Sequence, residues 1–116
     1  MHELSIMQSV VSSALEALDS HPVRRVIELR MQVGALSGVV EDSLQFCYEV
    51  AGKGTILEGS KLVVTQLPVV IHCAACDADA ELPGVQSFRC PRCGALSGDI
   101  RQGRELAIES LEIEEP

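Results

Sequence analysis

The stretch CAACDADAELPGVQSFRCPRCG, residues 73–94, is the most informative part of this chain about its fold. It contains two C-x-x-C pairs, Cys73 with Cys76 and Cys90 with Cys93, separated by thirteen residues. Each pair presents two thiolates to one point, and two pairs complete a tetrahedral four-sulfur site of the kind that holds structural zinc. Zinc ligation also supplies folding free energy that a segment of about 30 residues cannot obtain from burial alone.

Other interpretations of the cysteine motif fit the sequence less well. A rubredoxin-like iron site normally lies in an aromatic core, and the chain has two Phe, one Tyr and no Trp. A thioredoxin-like pair needs one reactive C-x-x-C rather than two matched pairs. A catalytic zinc keeps an open position, which four thiolates do not leave. His72 adjoins Cys73 and is an alternative ligand, but we expect it to be a strand residue beside the cysteine turn.

The sequence on either side of this segment predicts an α+β domain. Its hydrophobic pattern favours two helices on a small sheet of about three strands. The predicted helices span 5–20 and 41–51, and the predicted strands span 24–33, 60–67 and 105–113. We therefore expect two domains, a zinc-ribbon domain over 69–102 inserted before the last strand and an α+β domain formed by 1–68 plus 103–116.

The predicted helices and first strand each have an apolar face. Ser5 and Gln8 fit a capping box at the start of the first helix, which would leave His2 on a short arm ahead of it. We expect Cys47, on the apolar face of the second helix, to be a small buried residue. The predicted faces are Leu4, Met7, Val11, Ala14, Leu15 and Leu18 in the first helix, Ile27, Leu29, Met31 and Val33 in the first strand, and Leu44, Cys47, Tyr48 and Ala51 in the second helix.

Composition restricts the classes of partner. The formal net charge of −8 argues against a nucleic-acid surface, which needs clustered Lys and Arg. No apolar run approaches the roughly 18 residues that a membrane helix needs, and no targeting segment is apparent. We therefore expect a cytoplasmic protein that binds neither nucleic acid nor membrane.

The first three residues, Met1-His2-Glu3, form a candidate chelating set. The α-amine of Met1, the backbone nitrogen of His2 and its imidazole Nδ1 can hold one ion in fused five- and six-membered rings. Glu3 could supply a fourth ligand through its amide or its carboxylate. Planar nitrogen donors suit Ni(II) and Cu(II) better than zinc. An ordinary solvated terminus is the alternative, and these residues alone leave both open.

The order of motifs along the whole chain resembles the HypA/HybF family of hydrogenase-maturation nickel metallochaperones. The motifs that carry the resemblance are the Met1-His2-Glu3 start, the turn Gly34-Ala-Leu-Ser37, the helix residues Ser43-Leu44, the run Glu58-Gly-Ser-Lys-Leu62, the paired C-x-x-C turns, and the final strand from Leu106 to Glu114.

The resemblance implies a function and a set of partners. It implies nickel ligation by Met1, His2 and possibly the backbone of Glu3, with structural zinc at the four cysteines. It also implies a partner GTPase of the HypB type and delivery of nickel to the large subunit of [NiFe]-hydrogenase. Some members carry histidines directly after the C-x-x-C pairs, where this chain has Asp77 and Gly94. The resemblance therefore does not carry histidine-based sensing, or a role in urease maturation, over to this chain.

A second hypothesis belongs to a different class of protein. The cysteine module could serve a zinc-ribbon interaction adaptor that has no nickel preference and in which His2 is dispensable. A small enzyme is a third possibility, but no Ser-His-Asp or Cys-His nucleophile set is apparent. We therefore expect a protein that is not an enzyme.

Overall fold

The computed structural model describes residues 2–116. None of the helices in this part of the chain is long and apolar enough to cross a membrane. Its elements, in chain order, are α1 (Glu3–Leu18), β1 (Arg25–Gly34), a short 3-10 helix (Ala35–Ser37), α2 (Glu41–Gly52), β2 (Lys61–Leu67), β3 (Val70–Cys73), β4 (Ala78–Glu81), β5 (Ile100–Gln102) and β6 (Leu106–Glu114).

These elements form two compact units. The first, called the helical unit below, comprises Met1–Met31, Val39–Thr65 and Ala107–Pro116. The second, called the cysteine unit, comprises Gln32–Gly38 and Gln66–Leu106. The functional domains predicted from the sequence, 1–68 with 103–116 and 69–102, stay a prediction.

The helical unit contains α1 and α2, which pack against each other. The first three-stranded sheet has the strand order β2-β1-β6, so its central strand comes first in the chain. Aliphatic side chains dominate the interior, as the scarcity of aromatic residues requires. The buried hydrophobic residues of this unit are Met7, Val10, Val11, Ala14, Val26, Leu29, Met31, Leu44, Tyr48, Leu57 and Leu62.

The cysteine unit contains the second three-stranded sheet, with the order β4-β3-β5. Strands β3 and β4 are antiparallel and pair Ile71 with Ala80 and Cys73 with Ala78. A small core, formed by Val69, Ile71, Cys73, Ala80, Leu82 and Cys90, joins this sheet to the second cysteine pair. The predicted α+β class, with two helices, a small sheet and a cysteine module before the last strand, is confirmed.

The predicted start of the first helix is wrong by two residues. Helix α1 begins at Glu3, and His2 is its N-cap rather than part of an arm ahead of it. Ser5 caps no backbone N–H; its Oγ instead donates a hydrogen bond of 3.2 Å to the carbonyl oxygen of His2. An acidic residue in the first turn is favoured by the helix dipole, and Glu3 therefore supports the earlier start.

Several residues of the predicted apolar faces are more exposed than expected. Leu4 is 38% exposed, whereas Val10 is buried. In β1 the buried residues Val26 and Leu29 are three positions apart, so the alternation breaks between them and Ile27 faces outward. Cys47 is only half-buried, which corrects its prediction as a small core residue. Periodicity identifies a face, but the neighbouring elements decide how much of that face they cover.

Candidate metal centre

The first cysteine pair lies in the turn that joins β3 to β4. Cys73 ends β3 and is buried, while Cys76 is half-buried in the turn. The N–H of Asp77 donates to the carbonyl oxygen of Ala74 at 3.3 Å. Asp77 has a φ of +50°, which places the residue after the second cysteine in the left-handed region. Asp tolerates this conformation better than most side chains do, so the tight turn can form without Gly.

The second pair lies at the tip of a short hairpin, where Arg89 forms an antiparallel bridge with Leu96. The N–H of Cys90 donates to the carbonyl oxygen of Ala95, and the N–H of Gly94 donates to that of Cys90, each at 2.8 Å. Gly94 has a φ of +77° and so repeats the left-handed step made by the first turn. Two similar turns therefore present one buried cysteine each, together with one more accessible partner.

The four sulfurs converge on one point. All four Sγ atoms lie within 4.8 Å of one another, with 3.5 Å between Cys73 and Cys93 and 3.9 Å between Cys76 and Cys90. A tetrahedral zinc with bonds of about 2.3 Å separates its sulfur ligands by about 3.8 Å. A disulfide would need about 2.05 Å, so neither close pair is a disulfide. The donor set and its spacing therefore fit zinc.

The sulfurs differ in acidity. The backbone N–H groups of Arg92 and Cys93 point at Cys90 and lower its pKa to about 6 from an ordinary value of 9.0. Hydrogen bonding to Cys93 and then to Cys73, together with burial, raises the pKa of Cys76 to about 12. The surrounding protein groups thus stabilise the thiolate of Cys90 and disfavour that of Cys76, so a bound cation is needed to keep Cys76 ionised at neutral pH.

His72 does not join the sulfur cluster. It lies in β3, where its Nδ1 is 2.9 Å from a carboxylate oxygen of Asp79, its partner on β4. Its Nε2 lies 3.9 Å from Asp77. The metal-ligand cluster found among residues 2–116 consists of the four cysteines alone, so the expectation that His72 is a strand residue is confirmed.

Three of the four arginines of the cysteine unit form local contacts. Arg89 donates to the carbonyl oxygen of Gly94, and Arg92 donates to that of Asp79, each at 3.1 Å. Arg101 forms two hydrogen bonds with Asp99, at 3.1 and 2.8 Å, and lowers the pKa of that carboxyl. These three guanidinium groups stabilise the unit through local hydrogen bonds. Their contacts give no support to a nucleic-acid surface at these residues.

The second candidate site lies at the start of α1. His2 is exposed, and its carbonyl oxygen accepts the N–H of Ile6 at 2.9 Å. Hydrogen bonds from the Glu3 backbone N–H and then from the N–H of Val40 lower the pKa of the Glu3 carboxyl. Met1, the remaining predicted nickel ligand, lies outside the described residues. Sequence reasoning missed the link between Glu3 and Val40, because no local pattern indicates that the starts of the two helices are close.

Comparison with known proteins places the chain in a family. A family model described as "Hydrogenase/urease nickel incorporation, metallochaperone, hypA" matches residues 1–113. A hydrogenase maturation factor HypA from Roseiflexus sp. strain RS-1 is 44% identical over 115 residues, which cover 99% of this chain and 94% of that protein. The HypA of Chloroflexus aurantiacus is 42% identical over 112 residues, which cover 97% and 98% of the two chains.

Solved structures share the fold. The solution structure of the Ni metallochaperone HypA from Helicobacter pylori matches with a TM-score of 0.69 and 19% identity, covering 100% of both chains. A second solution structure of a HypA protein matches with a TM-score of 0.72 and 18% identity, covering 100% of this chain and 98% of that one. The family match over residues 1–113 and the relatives at 42–44% identity show that the chain belongs to the HypA family of hydrogenase/urease nickel-incorporation metallochaperones.

Proposed function

We propose that this protein carries nickel during hydrogenase maturation. It binds Ni(II) through Met1, His2 and Glu3 and passes it, with the help of a partner GTPase of the HypB type, to the large subunit of [NiFe]-hydrogenase in the cytoplasm. The observation that carries the proposal is the family match over nearly the whole chain, which includes the amino-terminal residues. The protein acts as a carrier and not as an enzyme.

The start of α1 suits a site that must release its metal. His2 is held by its carbonyl hydrogen bond while its imidazole stays exposed, so the ligand set is partly organised before nickel arrives. The positive end of the helix dipole disfavours a bound cation, and the Glu3 carboxylate offsets part of this repulsion. An exposed chelate at such a position can exchange its ligands one at a time.

The contacts of Glu3 bear on how it would complete the site. Its carboxylate accepts hydrogen bonds from its own backbone N–H and from the N–H of Val40, so nickel would have to displace a hydrogen bond whichever of the two groups it binds. Ligation through an amide nitrogen requires loss of the amide proton. Nickel affinity should therefore rise with pH.

Zinc has a different role in the proposal. Cys73, Cys76, Cys90 and Cys93 would hold it as four thiolates, which leaves no open position for chemistry. Its contribution is to tie the β3–β4 turn to the second hairpin and so stabilise the cysteine unit. Soft sulfur ligands keep zinc, while the nitrogen donors at the terminus select nickel.

Nickel titration of protein with a native, untagged amino terminus tests the proposal. His2→Ala, and a variant with one additional residue before Met1, should each weaken nickel binding by more than the roughly 10–100-fold that loss of an outer-shell partner costs. His21→Ala is a matched control, because His21 is also exposed and near a helix end. Zinc content should stay at one per chain in all variants.

The outcome also separates the two classes of function. Unchanged nickel affinity in both amino-terminal variants, with zinc retained, would reject the carrier and favour the zinc-ribbon adaptor. Delivery is tested separately, by following nickel from the loaded protein to purified large subunit with and without the GTPase and GTP. Transfer that ignores both the GTPase and His2 would contradict the proposed route.

A further inference from the structure

The helical unit has an exposed apolar strip beside an acidic groove. A groove of about 510 Å³ lies between the start of α1 and α2, and Glu3, Leu4, Asp42, Ser43, Phe46 and Cys47 line it. Phe46 is 65% exposed and Val50 is 48% exposed. These two residues are four positions apart and therefore lie on one face of α2, next to the groove.

An exposed Phe is unusual in this chain, which has only two. Phe46 and Val50 add to Leu4, 38% exposed, and Val40, 57% exposed, in the same unit. Scattered exposed apolar residues need no explanation, but a cluster of them beside a groove marks an interaction site. The groove shares Glu3 with the candidate nickel site, whereas Phe46 and Val50 belong to neither metal site.

The Lys, Arg, Asp and Glu content of the two helices has a single sign. Neither helix contains Lys or Arg, since neither type occurs before Arg24 or between Arg30 and Lys53, and Lys53 follows the end of α2. The acids of α1 are Glu3 and Glu16, and those of α2 are Glu41, Asp42 and Glu49. A pair of helices with several acids and no Lys or Arg attracts a cationic partner and speeds its association.

We propose that the groove of α1 and α2 binds a basic amphipathic segment of a partner protein, whose apolar side chains pack on Phe46 and whose Lys or Arg residues face Asp42 and Glu49. Insertion of an amphipathic segment into a groove between helices is a common mode of recognition. This contact is a protein–protein interaction and is separate from nickel binding. It rests on the proposed function only because a carrier must dock on its acceptor.

The charge of the strip argues against the other occupants. A second copy of this chain would bring acidic helices against acidic helices, and like charges in contact are destabilising. An anionic lipid surface would repel the same acids. A basic segment of another protein satisfies both the apolar and the charged parts of the surface.

A synthetic peptide probe tests the proposal on the zinc-loaded, full-length protein. The probe is a fluorescent helical peptide of about 14 residues with Leu on one face and Lys on the other. We expect saturable binding, followed by fluorescence anisotropy, that weakens as the NaCl concentration rises. A peptide with Glu in place of Lys, and one with Ser in place of Leu, should each bind at least about tenfold more weakly.

Matched protein variants locate the contact. Phe46→Ser should weaken binding of the probe by about tenfold or more, whereas Leu96→Ser, a control at a residue 70% exposed in the cysteine unit, should not. Asp42→Asn combined with Glu49→Gln should reduce both the affinity and its salt dependence. Because Phe46 is exposed, its replacement should leave the circular dichroism spectrum unchanged.

Three results would overturn the proposal. They are equal binding by wild type and Phe46→Ser, equal binding of the Lys and Glu peptides, and a wild-type dimer or vesicle-bound form that Phe46→Ser abolishes. Nickel titration of Phe46→Ser keeps this question separate from the proposed function. Phe46→Ser should bind nickel as tightly as wild type does. Failure of peptide docking would therefore leave the nickel site untouched, and failure of nickel binding in the His2→Ala variant would leave the docking proposal untouched.

Discussion

Replacing Gly34 with Ala should severely destabilise the cysteine unit. A Cβ at Gly34 would lie 2.1 Å from the carbonyl carbon and oxygen of Gly103 and 2.6 Å from the nitrogen of Arg104. Ordinary contacts begin at 3.4 Å, so the two backbone segments would have to separate by about 1.3 Å. Gly34 has φ −79° and ψ 150°, which any residue adopts, so the whole effect comes from the close approach.

The cost follows from the hydrogen bonds at this point. The N–H of Gly34 donates to the carbonyl oxygen of Glu105 at 2.8 Å, and the N–H of Leu36 donates to that of Gly103 at 2.7 Å. Separation breaks both, and each buried group left without a partner costs about 1–3 kcal/mol. We therefore expect the free energy of unfolding to fall by about 4 kcal/mol, more than most single substitutions cause.

Urea unfolding of the zinc-loaded protein, followed by circular dichroism, measures this effect. Gly98→Ala is the neutral control, since no atom lies within 4 Å of the added Cβ and its φ is not positive. Gly38→Ala is an intermediate control, because Gly38 has open space but a φ of +75° that costs about 1–2 kcal/mol with a side chain. If Gly34→Ala proved no more destabilising than Gly38→Ala, the argument from the close approach would be wrong.

Three further predictions concern the cysteine site. Cys90→Ser should lower the zinc content, measured by mass spectrometry of the metal, well below one per chain, while Cys47→Ser should keep one zinc per chain. A Cys90→Ser protein that still holds one tightly bound zinc would contradict the four-sulfur site. Zinc affinity, measured by competition with a chelator, should fall as the pH decreases. The thiol of Cys76, with a pKa of about 12, must lose a proton to bind zinc, and Cys90, with a pKa of about 6, also takes up a proton below that pH. A zinc affinity that stayed constant between pH 5 and 8 would refute this. Gly94→Ala should reduce the free energy of unfolding by about 1–2 kcal/mol, because Gly94 has a φ of +77°. Asp77→Gly should raise the free energy of unfolding, because Asp77 has a φ of +50° that glycine adopts more easily. The midpoint temperatures of thermal unfolding of the two variants should therefore shift in opposite directions.

Local sequence predicted the elements of this fold closely. The second helix was predicted at 41–51 and is observed at Glu41–Gly52, and the last strand was predicted at 105–113 and is observed at Leu106–Glu114. Acidic residues at a helix start and Gly at its end act within a few positions, so the sequence displays them directly. The short strands β3, β4 and β5 were not predicted individually, because three or four residues are too few to establish a period.

The cysteine cluster was predictable for a related reason. A C-x-x-C turn is local, and two such turns imply one shared metal. The spacing alone therefore predicted that Cys73, Cys76, Cys90 and Cys93 converge on one site. Their convergence within 4.8 Å agrees with that expectation. The difference in acidity between Cys76 and Cys90 was not predictable, since it depends on which backbone and thiol groups surround each sulfur.

The amino terminus shows where sequence reasoning reaches its limit. Met1, His2 and Glu3 predict a nickel chelate, but the sequence leaves open which atom of Glu3 takes part. The contact of the Glu3 carboxylate with Val40 depends on a residue that is 37 positions away in the chain, and only the packing of α1 on α2 brings the two close.

The helices, the longer strands, the four-cysteine motif and the family could be predicted from the amino-acid sequence, because they depend on residue types at short, regular spacings. Three features could be seen only in the folded chain: Gly34 faces the backbone of Gly103, Phe46 and Leu4 are exposed beside an acidic groove, and Glu3 reaches Val40. The physical reason is that close approach and exposure are set by segments far apart in the chain, whose relative positions no local pattern contains.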